Sequence, residues 1–201
     1  MPATLEYYLV PNSPWTWLGH QRLRDIARAA GARIEPLPFD LGGRVFPVSG
    51  GLPLAKRAPQ RQAYRLLELR RFSQHLGLPM NIEPRFFPVN GDAATRLIVA
   101  VQQHDGDERA LDLAGALMQA VWVQERDIAD AATLALLLAE QGLPAARLDD
   151  AQAAAAVQQR IDANTERALA RGVFGAPSYV VDGELFWGQD RLDFVARKLG
   201  M

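Results

Sequence analysis

Strand-forming sequence is confined to the two ends of this chain, and that distribution restricts the folds open to it. Residues 5–10 (Leu-Glu-Tyr-Tyr-Leu-Val) and 32–39 (Ala-Arg-Ile-Glu-Pro-Leu-Pro-Phe) carry aromatic and β-branched residues of the kind that suit strands. The next such segments are Ser178-Tyr179-Val180-Val181 and Glu184-Leu185-Phe186-Trp187. The about 110 residues between, 60–171, are rich in Ala, Leu, Gln and Arg, all good helix formers. One sheet is therefore expected from both ends of the chain, with an all-helical block inserted.

The first strand ends at Pro11-Asn12. Ser13 is a good helix N-cap, and Pro14 fits the first helical position, where its missing N–H has no partner to lose. A helix then follows to about Ala30, with Trp15, Leu18, Leu23, Ile26 and Ala30 on its apolar positions and Gly31 as a stop. A helix N-terminus has free N–H groups and a positive dipole end. Ser13 is thus either a cap alone or a serine placed to hydrogen-bond an oxyanion or thiolate. Prolines in the second strand favour a sheet edge.

Residues 40–59 read as a long Gly- and Pro-rich loop, of a length often tied to function. A helix is expected from Pro59 to about Leu76, stopped by Gly77 and Pro79. Between Lys56 and Arg71 stand six basic residues and one acid, Glu68. Arg57, Arg61 and Arg65 are spaced by four, as on one helix face. That face is either a solvated stripe or a receptor for an acidic small molecule. Residues 81–90 look irregular. Helices are expected at 93–104, 108–122, 130–141 and 149–171, with Asp130 and Asp149 as caps and Ala153–Ala156 as a close-packed face. Asp182-Gly183 is a strong two-residue hairpin signal. Asp190 is a candidate cap for a last helix over 191–199, stopped by Gly200. Pro177 opens the third strand with no N–H to give, and a cis bond there would leave the preceding backbone free.

The 201 residues are 49% apolar, enough for a packed core, and suit one domain with a sizeable insertion. A net charge of −1 argues against bulk binding to nucleic acid. No apolar run approaches the length of a membrane span, and no secretory signal is visible, so a cytoplasmic protein is expected. There is no cysteine, which removes disulfides, thiolate metal sites and a cysteine nucleophile. His20, His75 and His104 are scattered, with no metal-ligand spacing.

The β-α-β start, the β-β-α end and the X-Pro before the third strand resemble a thioredoxin-like α/β fold, with residues 1–59 and 172–201 as the thioredoxin-like part and 60–171 as the inserted helical part. Four segments resemble the 2-hydroxychromene-2-carboxylate isomerases and kappa-class glutathione transferases, within the wider DsbA-like group. They are Asn12–Leu18, Ser49–Tyr64 (with Ser49-Gly50-Gly51 and Pro59-Gln60-Arg61), Gly172–Tyr179 and Phe186–Leu192. The DsbA-like oxidoreductases carry Cys-x-x-Cys where this chain has Ser13-Pro14-Trp15-Thr16, so dithiol redox chemistry by the protein itself is excluded.

That resemblance implies glutathione as cofactor, its sulfur at Ser13, where the hydroxyl and the helix dipole favour the thiolate. It implies that Ala176, before a cis Pro177, pairs with the cysteinyl backbone like an added strand. Asp190 would hold the γ-glutamyl ammonium, the helix start at Arg191 its carboxylate, and Arg61 the glycine carboxylate. Gly51 falls where the family often has a glutathione-contacting asparagine, so an amide contact is lost. Val10 likewise replaces a common aspartate. The implied reaction is isomerisation of an aromatic ring-fission product by thiolate addition and elimination. The basic residues Lys56, Arg57 and Arg65 would suit a substrate carboxylate, with Trp15 and Tyr64 as further substrate contacts, and Trp17 and Phe46 as weaker candidates to flank a ring. A homodimer through the helical part is the expected assembly. Two alternatives remain: a general glutathione transferase or peroxidase, and a cysteine-free binding module without catalysis.

Overall fold

The computed structural model describes residues 3–153 and 155–201. Strand β1 (Thr4–Leu9) runs parallel to β2 (Arg33–Pro38) and antiparallel to β3 (Ser178–Val181), which pairs antiparallel with β4 (Glu184–Trp187). The sheet order is β2-β1-β3-β4. Both chain ends therefore build one sheet, and the thioredoxin-like fold with its helical insertion is present. β2 lies on the edge, where Pro36 and Pro38 forfeit no pairing on the outer side. The 182–183 turn has φ values of 48° and 79°, as an Asp-Gly hairpin turn requires.

The helices, in chain order, are α1 (Pro14–Ala29), α2 (Phe46–Ser49), α3 (Pro59–Leu76), α4 (Asp92–Asp105), α5 (Asp107–Trp122), α6 (Ala131–Glu140), α7 (Ala146–Ala153), α8 (Ala155–Ala170) and α9 (Leu192–Lys198). β1 is buried on both faces because side chains alternate across the sheet. Leu5, Tyr7 and Leu9 join a large apolar cluster with α4, α5 and α6. Tyr8, on the other face, joins a smaller cluster with Leu37, Phe39, Val45 and Ala168. Glu6 shares that second face and is nearly buried. Its carboxylate accepts from Tyr8 Oη (2.6 Å) and pairs with Arg171 (2.8 Å) and Arg167 (2.9 Å). Burial pushes its pKa up, but the hydrogen bonds from Arg167, Tyr8 and Arg171 outweigh this and hold it below the usual range.

Three expectations need correction. Residues 40–59 are a succession of short helical turns: a π turn over Leu41–Val45, then α2, then a 3₁₀ turn over Leu54–Lys56. They fold because Asp40 accepts from Gly43 N (2.7 Å), donates its own N–H to Thr165 (3.0 Å), and Val45 plugs the smaller cluster. Asp149 is not a cap, since α7 begins before it. Arg147 fixes that helix start by pairing with Asp105 (2.6 Å) and Asp150 (3.1 Å). The helix expected over 149–171 is present as α7 and α8, the helical stretches on either side of Ala154. Ala153, Ala155 and Ala156 are exposed rather than close-packed, and Ala154 lies outside the described residues. The buried face of α8 is carried instead by Val157, Ile161, Asn164, Thr165 and Ala168, at helical spacing. Among the described residues no helix is long and apolar enough to cross a membrane.

α1 is fixed to α5 by His20, which is buried. Its Nε2 lies 3.0 Å from the Leu111 carbonyl, which can only accept, so Nε2 carries the proton and Nδ1 accepts from Tyr7 Oη at 3.3 Å. Burial, and then Arg24, push the His20 pKa down to about 4. The unfolded chain therefore binds one more proton than the folded one between about pH 6.5 and 4. Stability should be complete above that window and fall by up to about 1.4 kcal/mol per pH unit through it. Urea titrations at stepped pH should show this slope in the wild type and its loss in His20→Gln.

Candidate functional site

The loops that follow β1, β2 and β4 and the segment that enters β3 meet at one end of the sheet. Residues Tyr8 and Ser178 are register partners. The chain leaving β1 at Leu9 and the chain entering β3 at Pro177 are therefore neighbours at this end. Ser13 follows at once, its N–H donating to Val10 O (3.2 Å). Ser13 is the N-cap of α1, with only 8% of its surface exposed, and its Oγ accepts from Thr16 N at 3.2 Å. A serine hydroxyl has one proton to donate, and among the described residues that proton has no acceptor.

The Ala176–Pro177 bond is cis, as is Phe87–Pro88. Neither the N–H nor the C=O of Ala176 is paired among the described residues. Pro177 O accepts from Gly188 N (2.9 Å), which draws the end of β4 to the same place. Gly188 has φ 105°, and an added Cβ would lie 2.5 Å from Asp190 Oδ1. Gln189 is buried and held by Arg22 at 3.2 Å through its side chain and 3.3 Å through its carbonyl. Asp190 is therefore not a cap. It sits in a 3₁₀ turn, Gln189–Arg191, ahead of α9, and pairs with Arg191 at 3.0 Å. Both side chains are exposed.

The basic residues divide into different roles. Lys56 and Arg61 are exposed and unpaired among the described residues. Arg57 precedes α3 rather than standing on its face, and its Nε donates to Leu52 O at 2.8 Å. Arg65 does not share a solvated stripe with Arg57 and Arg61. It is only 9% exposed and shares the inward face of α3 with Leu69 and Phe72. Its guanidinium lies 5.0 Å from the Phe87 ring centre and 5.9 Å from that of Trp122, with Nη2 buried and without a partner. Burial, with the nearby Arg57, pushes its pKa down to about 10, so it stays charged at neutral pH. Glu68 is turned to Arg71 (2.7 Å).

The aromatic candidates separate too. Trp15 is half-buried, its ring edge-on to Phe72 at 6.1 Å. Trp17 packs against the large core cluster. Tyr64 is exposed, with the Arg71 guanidinium 5.8 Å from its ring. At Gly51 an added Cβ would fall 2.1 Å from the Phe46 ring, so the glycine is required by a phenylalanine that covers it. Neither the Phe87–Trp122 pair (ring centres 4.7 Å apart) nor the Asn12 side chain donating to Val89 O at 2.9 Å is signalled by local sequence pattern. Both depend on contacts between distant segments. Among the described residues no group of His, Asp and Glu could hold a metal ion.

Residues 4–200 match the DsbA-like thioredoxin domain family. The chain belongs to that family. It is 27% identical over 195 residues to a 2-hydroxychromene-2-carboxylate isomerase of Sphingobium xenophagum, covering 97% of each chain. It is 26% identical over 211 residues to human glutathione S-transferase kappa 1, covering all of this chain and 92% of that one. A solved structure of a 2-hydroxychromene-2-carboxylate isomerase superposes with a TM-score of 0.82 at 23% identity, over 98% of this chain and 94% of that one. Within this DsbA-like fold the cysteine pair is absent, and Ser13 occupies the start of α1.

The Gly51–Phe46 contact is testable by itself. Gly51→Ala should cost about 1 kcal/mol, as an overpacked contact does, and the cost should vanish in a Phe46→Ala background. A four-member denaturation cycle measures the coupling.

Proposed function

We propose that the chain is a glutathione-dependent isomerase of the 2-hydroxychromene-2-carboxylate type. One observation carries this reading: a serine hydroxyl at a helix N-terminus, its proton uncommitted among the described residues, at the same end of the sheet as a backbone segment whose N–H and C=O are likewise unpaired. The full-length likeness to relatives named as such isomerases, and to one named as a glutathione transferase, supports it.

The residues present fit glutathione. A tripeptide can pair its backbone with Ala176 N–H and C=O as an added strand. Arg61 is exposed and, among the described residues, unpaired, so it can take a terminal carboxylate. Asp190 can take an ammonium while Arg191 screens its charge. Gly51 contributes backbone only, because Phe46 fills the side-chain space. Bound there, glutathione would supply a thiolate nucleophile for reversible addition to a conjugated carbon.

The chain's own part is positioning and charge stabilisation. The Ser13 O–H donates toward the sulfur position, and the positive end of α1 adds to it. Both favour the thiolate and lower the thiol pKa. His20 cannot serve as a base there, because its proton is committed to Leu111 and Tyr7 holds its other nitrogen.

Calorimetry with glutathione, combined with ultraviolet thiolate absorbance at neutral pH, tests the reading. The wild type should bind and show thiolate. Ser13→Ala should lose most of that signal and at least tenfold in turnover, as each pKa unit corresponds to about 1.4 kcal/mol. Ser13→Thr, which keeps cap and hydroxyl, should recover part of both. No binding at millimolar glutathione would overturn the assignment. A kappa-type transferase is the second reading, favoured by the match to the human enzyme along the whole chain. Turnover of 1-chloro-2,4-dinitrobenzene exceeding that of a chromene carboxylate would select it.

A further inference from the structure

A buried guanidinium without a counter-ion is costly, and native structures rarely leave one in place. Arg65 is such a group. It is nine-tenths buried, its Nη2 has no partner, and among the described residues it makes no ion pair. The cations around it make matters worse, since Arg57 lies near enough to depress its protonation and Arg61 does the same to Arg57. The one acid on its helix is committed to Arg71. Beside it, the Nε1 donor of Trp122 is also buried without an acceptor. Two buried donors without acceptors among the described residues, in one aromatic cluster and a positive field, favour an anion.

The location of this site relative to Ser13 follows from contacts. Phe87, which carries the guanidinium, is two residues from Val89, a span of at most about 7 Å. Val89 O accepts from Asn12, the neighbour of Ser13. On the helix side, Phe72 stands seven residues beyond Arg65 on the same face, about 10 Å along the axis. It meets Trp15, two residues after Ser13. The cationic site and the α1 N-terminus are thus joined by two short routes lined with aromatic rings. A planar guanidinium favours a carboxylate held in two parallel hydrogen bonds, and flat rings favour a flat ligand.

We propose that Arg65 is the carboxylate receptor of the active site, taking the acid group of a planar conjugated oxo acid whose electrophilic carbon lies toward Ser13. The second half of this statement rests on the proposed isomerase reading. The anion site itself does not.

The test is calorimetric titration without glutathione, using 2-oxo-4-phenylbut-3-enoate and its methyl ester as probes. The wild type should bind the acid at least tenfold more tightly than the ester. Arg65→Met should bind the two alike, and Arg65→Lys should fall between, since it keeps the charge and loses the fork. Unliganded Arg65→Met should melt higher than the wild type, because an unpaired buried charge is gone, and this also shows that it folds. An unchanged acid-to-ester ratio in Arg65→Met would overturn the proposal, as would equal binding of both probes by the wild type. A tenfold loss of glutathione affinity in Arg65→Met, with acid binding intact, would also overturn it by assigning the residue to glutathione. A wild type that ignores glutathione yet prefers the acid through Arg65 would end the isomerase reading and leave the receptor standing.

Discussion

The antiparallel pairing of β1 with β3 is the constraint on which the rest of the molecule depends. It joins residues 5–8 to residues 178–181, across nearly the whole chain, and it fixes which groups meet at the sheet end. A slip of one residue would exchange the two faces of β1. Tyr7 would lose His20 and the large cluster, and Glu6 would be turned into apolar packing away from Arg167 and Arg171. The register is therefore secured by burial on both faces. Because it is secured, the segment that enters β3 is brought to the end of β1, where α1 begins.

Charge is handled in two ways on the same scaffold. Glu6 is buried and fully answered by two arginines and a tyrosine hydroxyl, as a structural group should be. Arg65 is buried to a similar degree and answered only by aromatic faces, which offset a fraction of what water would give. The contrast separates a charge that holds the fold from one that burdens it. Packing alone would be served better at position 65 by an apolar side chain, so the cation is kept at a cost to stability. Groups that are destabilising in place and unpaired are what a binding site contributes before its ligand arrives.

Much of this was legible in the sequence because the signals were local. Ser13-Pro14 announces its cap, Asp182-Gly183 its turn, Gly77 its helix stop, and the prolines of β2 their edge. The failures share a cause. Asp190 and Asp149 look like caps by residue type, but their roles were set by Gln189 held on Arg22 and by Arg147 held on Asp105. Arg57, Arg61 and Arg65 have one spacing and three environments, because α3 starts only at Pro59 and its inward face begins at Arg65. Gly51 reads as a flexible loop glycine until Phe46 is seen against it. In each case a long-range contact, invisible to periodicity, overrode the local preference.

Placing serine rather than cysteine at the start of α1 has a consequence for the whole site. A resident thiol needs only activation. On the proposed reading the thiol arrives on a separate molecule, so the protein must first supply affinity and alignment. That requirement accounts for the amide and carbonyl at Ala176 and the guanidinium of Arg61, all unpaired among the described residues, and for the carboxylate of Asp190 in a turn that Gln189 anchors. It also accounts for how Ser13 is held. Its oxygen is fixed by Thr16 N while its proton is left free, so the donor is already aligned before any sulfur is there. A donor aligned in advance stabilises the thiolate without paying for reorganisation, which is the only electrostatic help a side chain lacking its own nucleophile can give.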